Sequence, residues 1–239
     1  MLSFIIPAHN EERFLAATLT SVRAAATAVG EPFELIVVDD ESTDGTASIA
    51  RSFDATVIPV SLRHIAAARN AGARAARGDV LIFVDADTFV PASTLAAALA
   101  ALAQGAVGGG ARVRLDANAP PWARRLWALV ALASFWLRLA PGCFMFVRRD
   151  AFDAVGGYDE SVFYSEEIVL SRAVKARGPF VIVREAVTTS SRKYNEMSMW
   201  QFLRQVGPMI ASPSALKRRH DWWYGRQRGS PKAGDDRDA

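Results

Sequence analysis

The stretch of sequence that decides the fold is Gly78-Asp79-Val80-Leu81-Ile82-Phe83-Val84-Asp85-Ala86-Asp87. Its apolar residues 80–84 form an unbroken run, which is typical of a strand buried on both faces of a parallel sheet. Two aspartates follow this strand directly. In open α/β sheets, ligands bind beyond the carboxyl ends of the strands. We therefore expect Asp85 and Asp87 to lie in a ligand-binding crevice.

Strand and helix patterns alternate on both sides of this stretch. Apolar, β-branched runs predict strands at residues 2–6, 33–38, 55–60 and 106–113. Helical spacing, alanine content and capping residues predict helices at 11–28, after 42–46, at 65–77 and at about 91–103. This order predicts an α/β fold, a Rossmann-like sandwich whose mainly parallel central sheet carries helices on both faces.

The regular alternation ends near residue 116. Beyond it we expect an apolar helix at 122–139, strands at 144–148 and 180–184, and helices from Asp150, at 166–177 and at 199–210. A chain of 239 residues suits one α/β domain and is too short for two. We predict a single domain over 1–211, with halves at 1–115 and 116–211, and a basic, flexible tail at 212–239.

Composition limits the compartment and the partners. Half of the residues, 51%, are hydrophobic, which excludes a disordered chain. The single cysteine, Cys143, allows no internal disulfide and fits a reducing compartment. Met1 leads straight into an apolar strand without a signal-peptide pattern. These features predict a cytoplasmic protein, or one held peripherally on the inner face of a membrane. The basic tail either touches an anionic surface or has no partner, and we expect no nucleic-acid partner.

The apolar segment at 122–139 has two interpretations. It is too short to cross the roughly 30 Å hydrocarbon layer of a bilayer. Its edges carry Arg124, Arg125 and Arg138 together with tryptophans, as in a helix that lies at a membrane surface. Alternatively, it is a core helix whose arginines extend their charged ends into water. The sequence leaves both open.

Three polar clusters follow predicted strands, and the strand-end rule brings all three to one edge of the sheet. They are Pro7-Ala8-His9-Asn10-Glu11, Asp39-Asp40-Glu41-Ser42 and Asp85-Ala86-Asp87-Thr88. So many carboxylates repel one another unless positive charge neutralises them. A magnesium or manganese ion that shares a diphosphate ligand with two aspartates would do so. The alternative is that Asp85 and Asp87 only cap the following helix.

Other aspartate motifs match the sequence less well. In phosphatases of the haloacid dehalogenase type, Thr or Val stands two positions after the second aspartate, where this chain has Phe89. Receiver domains place an acidic pair on their first strand, whereas Asp39 and Asp40 follow the second. No G-x-G-x-x-G stands between a strand and a helix, so a dinucleotide fingerprint is absent.

The ordered set of motifs resembles glycosyltransferase family 2. It comprises residues 5–12 (IIPAHNEE), 37–46 (VVDDESTDGT), 68–72 (ARNAG), 78–87 (GDVLIFVDAD), 152–160 (FDAVGGYDE) and 165–170 (SEEIVL). The resemblance implies a GT-A-type fold with a nucleotide-binding half at 1–115 and an acceptor and catalytic half at 116–211. It also implies inverting transfer of a sugar from a UDP- or GDP-type donor, with Mg²⁺ or Mn²⁺, to a glycan or a lipid-linked acceptor.

The resemblance also implies a role for each motif residue. His9 would stack on the nucleotide base, Asp39 would accept a hydrogen bond from it, and Arg69 would hold the nucleotide. Asp87 would bind the metal, and Asp85 would face the ribose or the metal. The remaining residues expected around the nucleotide are Pro7, Asn10, Glu11 and Asp40.

The catalytic base is expected in the acidic pair Glu166 and Glu167, which precedes a predicted helix. Glu167 matches the family's base, and Glu166 is the second choice. A carboxylate at this position can remove the proton of the acceptor hydroxyl. The alternative is that both residues only interact favourably with the N-terminal end of the helix.

This chain departs from the family after the helix at 166–177. Relatives often place a third metal ligand, a histidine, in this region, whereas residues 187–193 read VTTSSRK. Hydroxyls and the two cations Arg192 and Lys193 could hold the diphosphate instead, which predicts weak metal binding without nucleotide. His64 and His220 are expected to be non-catalytic. A metal-dependent nucleotidyltransferase and a non-catalytic nucleotide-sugar-binding protein remain the alternative functions.

Overall fold

The computed structural model describes residues 1–196, 198–202 and 204. The strands are β1 (Leu2–Ala8), β2 (Phe33–Asp40), β3 (Thr56–Val60), β4 (Val80–Val84), β5 (Thr88–Phe89), β6 (Gly108–Leu115), β7 (Phe144–Arg148) and β8 (Phe180–Thr189). The helices are α1 (Leu15–Val29), α2 (Thr46–Ser52), α3 (Ile65–Ala75), α4 (Ala92–Ala103), α5 (Pro121–Leu137), α6 (Arg149–Ala154), α7 (Glu166–Lys175) and α8 (Arg192–Asn195).

The eight strands form one sheet in the order β3-β2-β1-β4-β7-β6-β8-β5. The strands β3, β2, β1 and β4 are parallel, and β6 is parallel to β8. The strand β7 runs antiparallel between β4 and β6. The predicted α/β sandwich with a mainly parallel sheet is confirmed. Because β1, β2 and β4 point the same way, the polar segments that follow them meet at one edge.

The two faces of the sheet carry separate cores because side chains alternate along each strand. Phe4 and Ile6 of β1 pack on one face against Leu15 and Leu19 of α1. Ile5 points to the other face, where α3, α6 and α7 pack. This alternation accounts for the helices on both faces.

The glycine at position 72 brings α3 close to the sheet. A Cβ atom there would lie 2.4 Å from Cγ2 of Ile5 and 2.9 Å from Cγ2 of Val38. No other residue fits this contact without displacing the helix. The close packing holds Arg69, one turn earlier on α3, at the edge of the sheet where the polar segments meet.

Several predicted boundaries differ from the observed ones. The helix α1 begins at Leu15 rather than at residue 11, because Glu11 is in a turn: its carbonyl accepts hydrogen bonds from the amides of Phe14 and Leu15. The strand β8 continues past residue 184 to Thr189, because it pairs with β6 through a register shift between Ala111 and Arg112. The short elements β5 and α8 were not predicted.

The C-terminal predictions lie mostly outside the described residues. Of the helix predicted at 199–210, residues 199–202 are helical. The tail at 212–239, including His220, lies outside the described residues. Within the described part of the chain, no helix combines the length and apolar composition needed to cross a membrane.

Candidate active site

A cavity of about 680 Å³ lies at the carboxyl edge of β1, β2 and β4, and the start of α7 forms part of its wall. Most of the residues predicted to form the site line its wall: Pro7, His9, Glu11, Asp40, Arg69, Asp85, Asp87, Glu166 and Glu167. They come from segments spread over most of the chain. The strand-end argument predicted this meeting place for Pro7, His9, Glu11, Asp40, Asp85 and Asp87, whereas Arg69, Glu166 and Glu167 were expected only from the family resemblance. The roles of all these residues remain predictions.

Asn10 and Asp39 are not part of the cavity wall. Asn10 has a left-handed backbone, with φ at 54°, and its Oδ1 accepts a hydrogen bond of 2.8 Å from the amide of Thr43. Oδ1 of Asp39 accepts a hydrogen bond of 3.1 Å from the amide of Ser42. In this structure both side chains shape the loop that follows β2, next to the cavity.

The guanidinium of Arg69 is buried among the acidic residues of the site. It donates to Oε1 of Glu166 at 2.6 Å, to Oδ1 of Asp85 at 2.8 Å and to the carbonyl of Gly142 at 3.0 Å. Burial by itself lowers the pKa of Arg69, but Tyr158 and the two carboxylates outweigh it and raise that pKa well above its usual value. Arg69 therefore remains charged and holds β4 and α7 together.

A second arginine, Arg192 at the start of α8, binds the other half of the acidic cluster. Its guanidinium donates to both carboxylate oxygens of Glu11, at 2.7 and 2.6 Å, and lies 3.0 Å from Oδ2 of Asp87. The sequence indicated Arg192 only as a cation available for the diphosphate. A partner 181 positions away left no signal in the local pattern.

The two arginines change the expected charge balance of the site. The repulsion among its carboxylates was expected to require a bound cation with a diphosphate. Instead, Arg69 pairs with Asp85 and Glu166, and Arg192 pairs with Asp87 and Glu11. Much of the neutralising charge therefore comes from the chain itself, and each aspartate of the Asp-x-Asp motif has its own arginine.

Glu167 differs from Glu166 in its environment. Burial, followed by the negative charge of Glu166, raises the pKa of Glu167 to about 8. Among the described residues, no arginine or lysine forms an ion pair with Glu167, whereas Glu166 is paired with Arg69. A Cβ atom at Gly142 would lie 3.3 Å from Cδ of Glu167, so the absent side chain leaves room beside the carboxyl group.

The histidines at the cavity are held by hydrogen bonds. Nδ1 of His9 lies 2.6 Å from the carbonyl of Asp40, and Nε2 lies 3.1 Å from Nη1 of Arg63. This arrangement suits a neutral ring with its proton on Nδ1. Nδ1 of His64 accepts from the amide of Ala67 and caps α3, in keeping with a structural role.

An aromatic wall closes the side of the cavity near α5 and α8. The wall consists of Trp127, Tyr194 and Phe202. The ring of Trp122 packs behind them, and its centre lies 5.9 Å from the ring centre of Tyr194 and 5.8 Å from that of Phe202. Burial raises the pKa of Tyr194 to about 12, so its hydroxyl stays protonated. No motif indicated this wall, because its members come from separate segments.

The described residues contain no cluster of three or more histidine, cysteine or acidic side chains arranged to hold a metal ion. Asp85 and Asp87 nevertheless offer two carboxylates to the cavity. Magnesium binds through one or two protein carboxylates together with phosphate oxygens and water. The residues therefore fit a site that a diphosphate completes, and do not fit one made by protein ligands alone.

Solved structures of proteins with bound UDP or GDP-Man share this architecture. S. aureus TarS in complex with UDP superposes with a TM-score of 0.64 at 19% identity, over 79% of this chain and 60% of that one. The mannosyltransferase PcManGT from Pyrobaculum calidifontis, in complex with GDP-Man and Mn²⁺, superposes with a TM-score of 0.64 at 23% identity. The match covers 85% of this chain and 60% of that one. The chain thus has the fold of the GT-A glycosyltransferases.

The family model described as "Glycosyl transferase family 2" matches residues 3–156. This chain belongs to that family, as the sequence motifs predicted. The matched range contains Asp85 and Asp87 but ends before Glu166 and Glu167.

Curated relatives match parts of the chain. An undecaprenyl-phosphate 4-deoxy-4-formamido-L-arabinose transferase from Pseudomonas fluorescens is 33% identical over 167 residues, which is 64% of this chain and 49% of that protein. The protein of the same name from Shewanella sediminis is 37% identical over 93 residues, which is 36% of this chain and 28% of that protein. The chain therefore spans less than half the length of these relatives.

Proposed function

We propose that this chain is an inverting glycosyltransferase that moves a sugar from a UDP- or GDP-type donor to an acceptor hydroxyl. The observation that carries the proposal is the arrangement of acids in one cavity. Asp85 and Asp87 follow the end of β4, and Glu167, with no ion-pair partner among the described residues, lines the same cavity from the start of α7. In the proposed reaction the aspartates would hold the metal ion and the donor diphosphate, and Glu167 would face the acceptor hydroxyl.

The nucleoside is proposed to bind at the ends of β1 and β2. Pro7, His9 and Asp40 line this part of the wall, while Asn10 and Asp39 hold the adjoining loop. The imidazole of His9, fixed by Asp40 and Arg63, offers a flat face for the base to stack on. The glutamate Glu11 acts indirectly, because it fixes Arg192.

Asp85 and Asp87 are proposed to hold Mg²⁺ or Mn²⁺ together with the donor diphosphate. The ion would stabilise the negative charge that develops on the departing diphosphate. The hydroxyls of Thr189 and Ser190, with Arg192 and Lys193, line the same part of the cavity and can donate to phosphate oxygens.

Glu167 is proposed as the general base. Its carboxylate takes the proton of the acceptor hydroxyl while the acceptor oxygen forms a bond to the anomeric carbon. The bond from that carbon to the diphosphate breaks, and its electron pair leaves with the diphosphate. Attack from the side opposite the leaving group inverts the anomeric centre. Glu166 is the second choice, because Arg69 donates to one of its two carboxylate oxygens.

A lipid-linked acceptor at a membrane surface is proposed because of α5. Its outward face carries Leu129, Leu132 and Trp136, which are 66%, 53% and 75% exposed. Exposed arginines at 124, 125 and 138 surround this face and suit anionic lipid headgroups. The inner face of the same helix contributes Trp127 to the cavity. Relatives named as undecaprenyl-phosphate sugar transferases support the same acceptor class.

The test is an assay with UDP- and GDP-sugars, a free or lipid-linked glycan acceptor that offers a hydroxyl, and Mg²⁺ or Mn²⁺. We expect free UDP or GDP, and a glycosylated acceptor whose anomeric configuration, measured by NMR, is opposite to that of the donor. Asp87→Ala should abolish the reaction while the circular dichroism spectrum is retained. Release of pyrophosphate would indicate a nucleotidyltransferase, and nucleotide binding without donor consumption would indicate a non-catalytic binding protein.

A further inference from the structure

In this structure Arg192 occupies the carboxylate that a metal ion would need. Its Nη2 lies 3.0 Å from Oδ2 of Asp87, and the hydroxyl of Thr189 lies 3.2 Å from Oδ1. Both oxygens of Asp87 therefore already have partners. A divalent cation that binds Asp87 through Oδ2 must displace Arg192 from it, since two positive charges repel at that distance.

The surroundings of Arg192 keep it at the cavity whether or not it contacts Asp87. Ser191, the preceding residue, donates through its hydroxyl and its amide to Asp116, at 2.6 and 3.1 Å. The guanidinium lies 4.6 Å from the ring centre of Phe14. The bidentate pair with Glu11 holds it from the other side. The side chain can therefore release Asp87 without leaving the site.

The present contacts of Arg192 do not saturate it. Its Nε is buried and has no hydrogen-bond partner within the described residues. The side chain of Arg192 lines the cavity and is 20% exposed, whereas the side chain of Glu11 is 6% exposed. A guanidinium released from Asp87 has an Nη2 hydrogen that can donate to a phosphate oxygen, which replaces the lost ion pair.

We propose that Arg192 couples the binding of the divalent cation to that of the nucleoside diphosphate. The inference rests on the proposed function. Without nucleotide, Arg192 competes with the cation for Asp87, and the cation binds weakly. When both ligands bind, the cation takes Asp87 and the displaced guanidinium takes the diphosphate. Arg192 thus acts as a positioning residue that admits the metal only together with the donor.

The test measures five affinities without turnover. Binding of Mn²⁺ alone is followed by electron paramagnetic resonance of the free ion, and binding of UDP and GDP, with and without Mn²⁺, by calorimetry. In the wild type we expect nucleotide to tighten Mn²⁺ binding markedly. In Arg192→Gln, Mn²⁺ alone should bind more tightly and nucleotide more weakly, so that the coupling factor falls by about tenfold or more.

Two further variants separate this role from a structural one. Arg192→Lys keeps the positive charge but not the planar guanidinium with its two donor nitrogens. We therefore expect a coupling factor between that of the wild type and that of the glutamine variant. Arg148→Gln removes an arginine whose ion pair with Asp150 is exposed, and should change neither affinity. Melting temperatures show whether each variant is folded. If Arg192→Gln is unfolded, the coupling factor of Arg192→Lys tests the inference instead.

The outcomes distinguish this inference from the function on which it rests. A folded Arg192 variant that keeps the wild-type coupling would overturn the inference alone and assign Arg192 a structural role. Coupled binding in the wild type without sugar transfer would instead contradict the proposed function. If the wild type binds neither UDP nor GDP in the presence of Mn²⁺, both proposals fail.

Discussion

Arg69 donates a hydrogen bond of 2.6 Å to Oε1 of Glu166, and this contact makes two adjacent glutamates chemically different. Glu166 is held as a charged partner of a buried arginine. Glu167, the next residue, has no such partner among the described residues, and burial raises its pKa to about 8. One residue of the pair therefore stabilises the site, and the other is suited to exchange a proton near neutral pH.

The first prediction concerns Glu167→Gln. The amide has nearly the same shape but cannot accept the acceptor's proton as a carboxylate does. We expect kcat to fall by about one hundred- to ten-thousand-fold, the range attributed to a general base, with little change in the affinity for UDP or GDP. Initial rates and calorimetry on the same preparation measure both. The control is Glu31→Gln, in an exposed turn between α1 and β2. Normal turnover by the Glu167 variant would remove the base from the proposal.

The second prediction concerns pH. Glu167 is active as the carboxylate, so the rate should rise as the pH increases through about 8. Stability should change in the opposite direction. The pKa in the folded chain is raised from its ordinary value of 4.5, so the folded state binds the extra proton. The stability that this proton provides is complete below pH 4.5 and is lost as the pH rises to about 8.

The check for the pH prediction is a pair of profiles for the wild type and Glu167→Gln. One records kcat and the other the melting temperature, each from pH 5 to about pH 9. As the pH rises across this interval, we expect the melting temperature of the wild type to fall relative to that of Glu167→Gln. A difference that does not depend on pH would mean that the pKa of Glu167 is ordinary.

The third prediction is that Arg69→Gln destabilises the fold strongly. The substitution leaves Glu166 buried without its partner and weakens the contact between α3, β4 and α7. Breaking a buried ion pair costs about 3–5 kcal/mol of the free energy of unfolding. Arg148→Gln breaks an exposed pair with Asp150 and should cost about 1 kcal/mol or less. Denaturant titrations of both variants provide the comparison, and equal costs would contradict the assignment.

The fourth prediction separates two tryptophans of α5. Trp136 is 75% exposed on the outward face, whereas Trp127 lines the cavity. Replacing Leu132 and Trp136 with serine should weaken binding to anionic vesicles by about tenfold or more, because two large apolar side chains no longer reach the lipid. Trp127→Ser should leave vesicle binding unchanged and lower turnover. Sedimentation with vesicles measures the first effect, and a wild type that does not bind vesicles would dispose of the membrane proposal.

The sequence by itself determined the strands β1, β2 and β4, the polar segments after them and the family. Each of these features depends on a short, contiguous pattern of residues. An apolar run sets a buried strand, and its polar ending must lie at the carboxyl edge whatever the rest of the chain does. For this reason the sequence alone places Pro7, His9, Glu11, Asp40, Asp85 and Asp87 at the same edge.

Only the tertiary structure decided which charges pair. Arg192 meets Glu11 across 181 positions, and Arg69 meets Glu166 across 97. No local pattern encodes such contacts, because they depend on how far β8 extends along β6 and on how closely α3 approaches the sheet at Gly72. The same packing half-buries Glu167 and gives Glu166 its arginine. A sequence lists the acids of a site, but the dielectric and the partner that set the behaviour of each acid exist only in the folded chain.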